Sequence, residues 1–124
     1  MSVRFVTKDL HAYLDYPVAL GLMAMPALLG LGQSSPFAFW LSVVTGVAAL
    51  MLTLLTDHKL GVVRMLPYKF HLAVDGAVGL VFVAAPFLFG FAGLDAVYYW
   101  VIGGTVLAVV GLHKDDAAAL QPAE

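Results

Sequence analysis

Four long apolar segments, separated by short polar stretches, form the main pattern of the chain. The first begins at Leu10 or Asp15 and ends at Leu31, and the other three cover residues 36–55, 70–91 and 95–112. Each segment is close to the ~20 residues that a helix needs to cross a bilayer. Each is also too continuously apolar for a helix on the surface of a soluble domain. The pattern predicts an all-α fold, a transmembrane four-helix bundle.

The second half of the chain repeats the first. Residues 11–52 align without a gap with residues 71–112, an offset of 60, and the matches that carry most weight are His11/His71, Asp15/Asp75, Pro26/Pro86, Gly30/Gly90 and Trp40/Trp100. A repeat of this length indicates one structural unit used twice. Because each unit holds two spans, both units enter the membrane in the same direction. We therefore expect two tandem helical hairpins related by a pseudo-twofold axis along the membrane normal.

The repeat divides the chain into an N-terminal segment (1–10), a first two-span repeat (11–55), a central loop (56–70), a second two-span repeat (71–112) and a tail (113–124). All six basic residues lie outside the spans, on one side: Arg4, Lys8, Lys59, Arg64, Lys69 and Lys114. The turns on the other side, 32–36 and 92–95, contain none. The positive-inside rule then places both termini and the central loop in the cytoplasm, with the protein in the inner membrane.

Composition agrees with a membrane protein, since 62% of the residues are hydrophobic, 11% are charged and the mean hydropathy is +0.95. Soluble domains carry roughly 25% charged residues. The chain has no cysteine, which excludes disulfides and thiolate metal sites. Trp40 and Trp100 are expected to anchor the bundle at the outer interface.

Several residues are typical of helix starts, bends and ends. Ser35 before Pro36 favours a helix start with Ser35 as N-cap, and we expect Asp95 to cap the fourth helix in the same way. Proline and glycine shape the far end of the first helix in each repeat, at Pro26, Gly30, Pro86 and Gly90. Small residues one turn apart, such as Gly104 and Ala108, would suit packing inside the bundle or docking against another membrane protein.

In each unit an aspartate near the start is followed by a proline, a glycine and then a tryptophan. This order resembles the SPW-repeat family of small bacterial membrane proteins, in which each repeat is two transmembrane helices with a Ser-Pro-Trp motif in the first. The chain has Met25-Pro26-Ala27 and Ala85-Pro86-Phe87 at the motif, so only the proline is retained in both copies. The resemblance covers residues 11–112 and implies the architecture. It brings no catalytic residue or cofactor with it.

His11 and Asp15 are four residues apart and share a helix face, as do His71 and Asp75. In one interpretation the four residues form a symmetric site at the cytoplasmic mouth of the bundle, which binds a divalent metal or relays protons. In the other, each aspartate caps its helix, where the helix dipole favours negative charge. A third interpretation uses the two histidines as axial ligands of a haem.

No motif for an enzyme is present, neither a phosphate-binding glycine loop nor a metalloprotease or nucleophile-elbow motif, so we expect a protein that is not an enzyme. Nucleic acid is not an expected partner. Because nearly the whole chain consists of spans, the sequence favours a structural or accessory protein that packs with itself or with another integral membrane protein in the lipid bilayer. The alternatives are a small ion or solute transporter, a metal-binding protein, and a haem- or pigment-associated subunit.

Overall fold

A computed structural model describes residues 8–56 and 66–112, and within these ranges the protein is all-α, with no strand. Its helices are α1 (Lys8–Leu29), α2 (Pro36–Leu55), α3 (Tyr68–Phe89) and α4 (Gly93–Gly111). All four are long and apolar enough to cross a membrane. The prediction of four spans is therefore confirmed. The observed bounds differ little from the expected ones: α1 ends at Leu29 rather than Leu31, and α3 and α4 each begin two residues early.

The helices pair in chain order as two hairpins. The first hairpin packs α1 against α2, the second packs α3 against α4, and contacts between the two hairpins are much sparser. We call the end that contains residues 30–35 and 90–92 the turn end of the bundle. The opposite end, where Thr56 and Leu66 lie side by side and the Leu66 amide donates to the Leu55 carbonyl at 2.8 Å, is the loop end.

The helix boundaries at the turn end follow the expected residues with one exception. Ser35 is the N-cap of α2, and its hydroxyl accepts a hydrogen bond from the Phe37 amide at 3.3 Å. The helices α1 and α3 end before Gly30 and Gly90, whose φ angles of 67° and 69° suit glycine best. The exception is Asp95. The helix α4 starts at Gly93, so Asp95 lies inside its first turn and the predicted capping role is wrong.

Glycine allows the closest approach within each hairpin. A Cβ atom at Gly46 would lie 2.8 Å from the Ala19 carbonyl oxygen, and one at Gly103 would lie 2.9 Å from the Gly79 carbonyl oxygen. Ala19 and Gly79 differ by the expected 60 positions, whereas Gly46 and Gly103 differ by only 57. The two repeats therefore do not align without a gap in three dimensions. The connection between α3 and α4 is three residues shorter than the one between α1 and α2. Relative to the position of α2 in the first hairpin, α4 is therefore displaced along its axis by almost one helical turn.

This displacement changes which small residues of α4 are packed. The expected pair, Gly104 and Ala108, is exposed, and nothing lies within 4 Å of a Cβ placed at Gly104. Gly103 faces α3 instead and is buried. Of the two interpretations of Gly104 and Ala108, packing inside the bundle is wrong, and docking against another membrane protein stays a prediction.

Most of the charges on which the predicted orientation rests lie outside the described residues. These are Arg4, Lys59, Arg64 and Lys114, together with most of the N-terminal segment, most of the central loop and the tail. Lys69 lies at the loop end, in the first turn of α3, and is exposed. The four spans identify a multi-pass membrane protein, and which side the loop end faces stays a prediction.

Candidate functional site

Four ionisable residues meet at the loop end, two from each hairpin. His11 and Asp15 lie in the first turns of α1, and His71 and Asp75 lie at the corresponding places in α3. Asp15 is seven residues after Lys8 and Asp75 is seven residues after Tyr68, about two turns inside their helices. Neither aspartate is at a helix N-terminus, so the interpretation of these residues as caps is wrong. We call the four residues the His/Asp cluster.

Contacts within the cluster run both along each helix and between the hairpins. His11 Nε2 lies 3.0 Å from Asp15 Oδ1 on its own helix and 2.8 Å from Asp75 Oδ2 on α3. His71 Nε2 lies 3.2 Å from Asp75 Oδ2 on its own helix and 3.2 Å from Asp15 Oδ2 on α1. Each carboxylate therefore contacts both imidazoles. The two rings stand edge to face, with centroids 5.8 Å apart.

Both histidines of the cluster are buried, with only 2% of His11 and 1% of His71 exposed, and both aspartates are half-buried. In these contacts each Nε2 carries a hydrogen that it donates to a carboxylate, because two lone pairs facing each other would repel. The two aspartates are thus stabilised by hydrogen bonds inside the cluster. Buried charges persist in proteins when they are hydrogen-bonded in this way.

The orientation of His71 is fixed from the side away from the carboxylates. Thr56 Oγ1 donates to the Leu52 carbonyl at 2.5 Å and lies 2.7 Å from His71 Nδ1. Since the hydroxyl hydrogen is used on Leu52, Nδ1 is the donor in the second contact. This bond directs Nε2 of His71 toward the two aspartates. No motif or spacing in the sequence predicts the contribution from Thr56, which is the C-cap of α2 and lies 15 residues from His71.

An aromatic ring also borders the cluster. The ring of Tyr68 stands edge to face against His11, with centroids 5.9 Å apart, and lies 6.2 Å from the ring of His71. Tyr68 is the first residue of α3, and Lys69 follows it. Tyr68 is not among the residues predicted for the site, although its spacing of three from His71 places both on one side of α3.

A cavity of about 540 Å³ extends from the cluster between the hairpins, toward the middle of the bundle. All four helices contribute to its wall. Apart from the cluster and three threonines, the residues that line it are apolar, and they include Leu14, Val18, Leu22, Val44, Ala48, Val74, Val78 and Val109. The cluster lies at one end of this cavity.

The turn end joins the hairpins in a different way. Asp95 is buried, and its carboxylate accepts hydrogen bonds from the Gly32 amide at 2.9 Å, the Ser34 amide at 3.0 Å and the Ser34 hydroxyl. Nearby, the Tyr99 hydroxyl donates to the Ala38 carbonyl at 2.6 Å. A side chain expected to cap α4 therefore holds the turn of the other hairpin.

The other predicted residues lie away from the cluster. Pro26 and Pro86 are buried in the last turns of α1 and α3, where they can shape the helix ends. Trp40 and Trp100 lie near the turn end and are 59% and 42% exposed, and the Trp100 indole donates to the Val83 carbonyl at 3.2 Å. Their exposure is compatible with anchoring at an interface.

Comparison with known proteins supports the resemblance noted in the sequence. No curated protein and no solved structure shows significant similarity to this chain. The family model described as the SPW repeat domain matches residues 9–114, which include all four helices and the whole His/Asp cluster. The match covers most of the 124 residues, although the Ser and Trp of the motif are absent from both copies. The chain belongs to the SPW repeat family.

Proposed function

We propose that this protein binds a divalent transition metal ion through His11, Asp15, His71 and Asp75, as a non-enzymatic protein of the inner membrane. One observation carries the proposal: each of the four residues offers one ligand atom, and these atoms all lie within 4.8 Å of one another. In the helices of a membrane protein, such a concentration of ionisable groups is costly and is retained where it serves a function.

The dimensions of the cluster suit a small ion. Zinc bonds to histidine nitrogen and carboxylate oxygen are about 2.1 Å long, which separates the ligand atoms of a tetrahedron by about 3.4 Å. The nitrogen–oxygen contacts of 2.8 to 3.2 Å in the cluster are slightly shorter, so that small movements would make room for the ion. A mixed set of imidazole and carboxylate ligands is suited to zinc, manganese or iron(II) rather than to calcium.

Charge and second-layer contacts support the same proposal. Two carboxylates balance the charge of one divalent ion, so the bound state is neutral when both imidazoles are neutral. Metal-binding histidines usually donate their other ring N–H to a hydrogen-bond acceptor, which fixes the tautomer. His71 has this arrangement, because its Nδ1 donates to Thr56 Oγ1, and Nε2 binds the ion when it releases to solvent the hydrogen that it donates to the aspartates.

A haem fits the cluster less well. The oxygen Oδ2 of Asp75 lies within 3.2 Å of Nε2 of both histidines, so a carboxylate occupies the place that the haem iron would take. A porphyrin would have to displace this side chain and separate the hairpins at the loop end. A compact ion needs neither change.

The structural or accessory role is a second proposal, and the exposed surface of α4 favours it. Gly104 and Ala108 are exposed one turn apart, and nothing lies within 4 Å of a Cβ placed at Gly104. Small residues allow a second helix to approach closely. In this proposal another copy or another integral membrane protein packs on α4. A larger mass for the detergent-solubilised complex, lost in Gly104→Leu, would support it.

Metal binding is tested on the purified protein in mild detergent, stripped with a chelator and titrated with Zn²⁺ or Co²⁺. We expect one ion per chain and, for Co²⁺, a visible spectrum of four-coordinate geometry. Asp15→Asn combined with Asp75→Asn should weaken binding at least 100-fold, because both anionic ligands are lost. Asp95→Asn is the matched control, since it removes one buried carboxylate at the other end of the bundle. Equal binding by the wild type and the double variant would disprove the proposal.

A further inference from the structure

The two hairpins touch at both ends of the bundle and leave an apolar space between them. At the loop end the His/Asp cluster joins them. At the turn end, Asp95 and Tyr99 reach the first hairpin, and the ring of Phe37 packs edge to face on Phe89 at 4.7 Å. The cavity of about 540 Å³ lies between these two sets of contacts. This volume is within the range of about 300–1,000 Å³ that is typical of ligand sites.

The cavity follows the pseudo-twofold axis of the repeat. Corresponding residues of the two halves line it: the pairs Leu14/Val74 and Val18/Val78 at the offset of 60, and the pair Ala48/Thr105 at the offset of 57. From His11 to Leu22, the lining residues of α1 span 11 positions, or about 16 Å along the helix. The cavity is therefore long enough for an extended aliphatic chain that runs along the bundle.

Polar groups are concentrated at one end of this cavity. Two of the three threonines in the lining use their hydroxyl hydrogens within their own helices: Thr53 donates to the Ala49 carbonyl at 2.8 Å, and Thr105 donates to the Val101 carbonyl at 2.7 Å. Asp15 and Asp75 remain as hydrogen-bond acceptors at the loop end, since each carboxylate has about four lone-pair directions. Beyond Leu22, at the other end, Ser42 and Tyr98 are hydrogen-bonded to each other at 2.6 Å.

We propose that the space between the hairpins binds a neutral single-chain lipid, with its aliphatic or isoprenoid chain along the axis and a hydroxyl head at Asp15 and Asp75. An anionic carboxylate head has no hydrogen to donate to the two aspartates. A cationic head group gains little, because both carboxylates already accept hydrogen bonds from the histidines. A hydroxyl donates one hydrogen bond to a carboxylate and requires no further charge.

The alternative occupants fit less well. Water is disfavoured, because the wall offers few polar partners away from the cluster. A helix of a second copy is at least 10 Å in diameter with its side chains, and the hairpins, which touch at both ends of the bundle, would have to separate to admit it. The lipid inference goes beyond metal binding and does not depend on it, because the aliphatic chain contacts the apolar wall and the hydroxyl head contacts the two aspartates of the metal-free cluster.

Photolabelling tests the inference on the full chain in mild detergent, stripped of metal. The probe is hexadecanol with a photoreactive diazirine in its chain, and the labelled residues are located by mass spectrometry. We expect adducts on cavity residues such as Val18, Val78 and Ala48, and competition by unlabelled hexadecanol. Palmitate, which has the same chain length but an anionic head, should compete at least 10-fold more weakly.

Two alanine variants separate the cavity from the outer surface of the bundle. Ala48→Phe fills part of the cavity wall and should reduce the labelling at least 5-fold. Ala77→Phe is the matched control, because Ala77 is an exposed residue of α3 that does not line the cavity, and its labelling should equal that of the wild type. Helix content by circular dichroism and elution in size-exclusion chromatography show that both variants are folded.

Three results would overturn the inference. Labels spread evenly over the exposed residues of all helices would indicate annular lipid. Equal labelling of Ala48→Phe and Ala77→Phe would place the probe outside the cavity. A change of oligomeric state in Ala48→Phe without loss of label would indicate a second copy. Zinc binding is measured on the same preparations, so a failure of the lipid inference is distinguishable from a failure of metal binding.

Discussion

In the first hairpin six residues, 30–35, separate the two helices, whereas in the second hairpin three residues, 90–92, do so. The helices before these turns match at the expected offset of 60, and they bring His11 and Asp15 face to face with His71 and Asp75. In the helices after the turns, the residues that pack in the same way, Gly46 and Gly103, differ by 57 positions instead. The loop end of the bundle is consequently symmetric, and the turn end is not.

This difference separates two uses of polar residues in a membrane protein. The symmetric pairs at the loop end bring ligands from both repeats to one point, which suits the binding of an ion. At the turn end, Asp95 of the second repeat accepts hydrogen bonds from Gly32 and Ser34 of the first, and the repeat provides no reciprocal contact. A one-sided contact of this kind stabilises the fold, since it gives the partly buried amides of a neighbouring turn a charged acceptor.

The largest predicted effect tests the packing offset of 57. Gly103→Leu should destabilise the protein by about 3 kcal/mol, because even a Cβ atom at Gly103 would lie 2.9 Å from the Gly79 carbonyl oxygen and Phe82 Cβ. Gly46→Leu should have a similar cost, for the same reason at Ala19 and Leu22. The free energy of unfolding is measured by titration with SDS in mixed micelles.

Gly104→Leu is the control for this substitution, since nothing lies within 4 Å of a Cβ at Gly104. Its effect should stay within about 0.5 kcal/mol of the wild type, as for other surface positions. A larger loss of stability in Gly104→Leu than in Gly103→Leu would mean that Gly104 rather than Gly103 faces α3. The packing offset of 57 would then be wrong.

A second prediction concerns the asymmetric contact at the turn end. Asp95→Asn should lower the free energy of unfolding by about 2 kcal/mol, because the neutral amide loses charge-assisted bonds from Gly32 and Ser34. In the gapless alignment Asp95 corresponds to Ser35, the N-cap of α2. Replacement of Ser35 by alanine should cost about 1 kcal/mol. Zinc affinity should be unchanged in both variants, and a marked loss of zinc in Asp95→Asn would contradict the separation of the two ends.

The third prediction tests the second-layer contact at the loop end. Thr56→Val should weaken zinc binding about 10-fold, or about 1.4 kcal/mol, because His71 Nδ1 loses its acceptor. Thr53→Val is the matched control, since the Thr53 hydroxyl bonds to the Ala49 carbonyl of its own helix. Equal zinc affinities in the two variants would show that Thr56 does not orient His71.

The number of spans, their pairing and the family could be predicted from the sequence, because hydropathy and the repeat act over whole helices. The spacing of four in His11/Asp15 and His71/Asp75, together with parallel repeats, also placed the four residues at one depth. Their direct contacts could not be predicted, since the capping interpretation fitted the same spacing. Distances between hairpins depend on tertiary packing.

The gapless alignment of the sequence does not extend to the packing of the second helices, for a physical reason. Three residues are nearly one helical turn, so a shift of three keeps a residue within about 60° of its original face. In so apolar a chain, both alignments of the second helices leave hydrophobic residues on every face. For Asp95, the difference between the two alignments becomes visible only in the folded structure. There its carboxylate accepts a hydrogen bond from Ser34 of the other hairpin, 61 positions away along the chain.

The two tryptophans provide the smallest effect and a direct measure of the shift. Trp40 is the fifth residue of α2 and Trp100 the eighth of α4, so Trp100 should lie about 4.5 Å deeper if the two helices start at the same level. Trp40→Phe and Trp100→Phe each leave one fluorophore. Quenching by lipids brominated at different depths should show the remaining Trp100 deeper than the remaining Trp40. Trp100→Phe should cost only about 0.5 kcal/mol, since its bond to Val83 is exposed. Equal depths would mean that the shorter turn is compensated by a displacement of the whole second hairpin along the membrane normal.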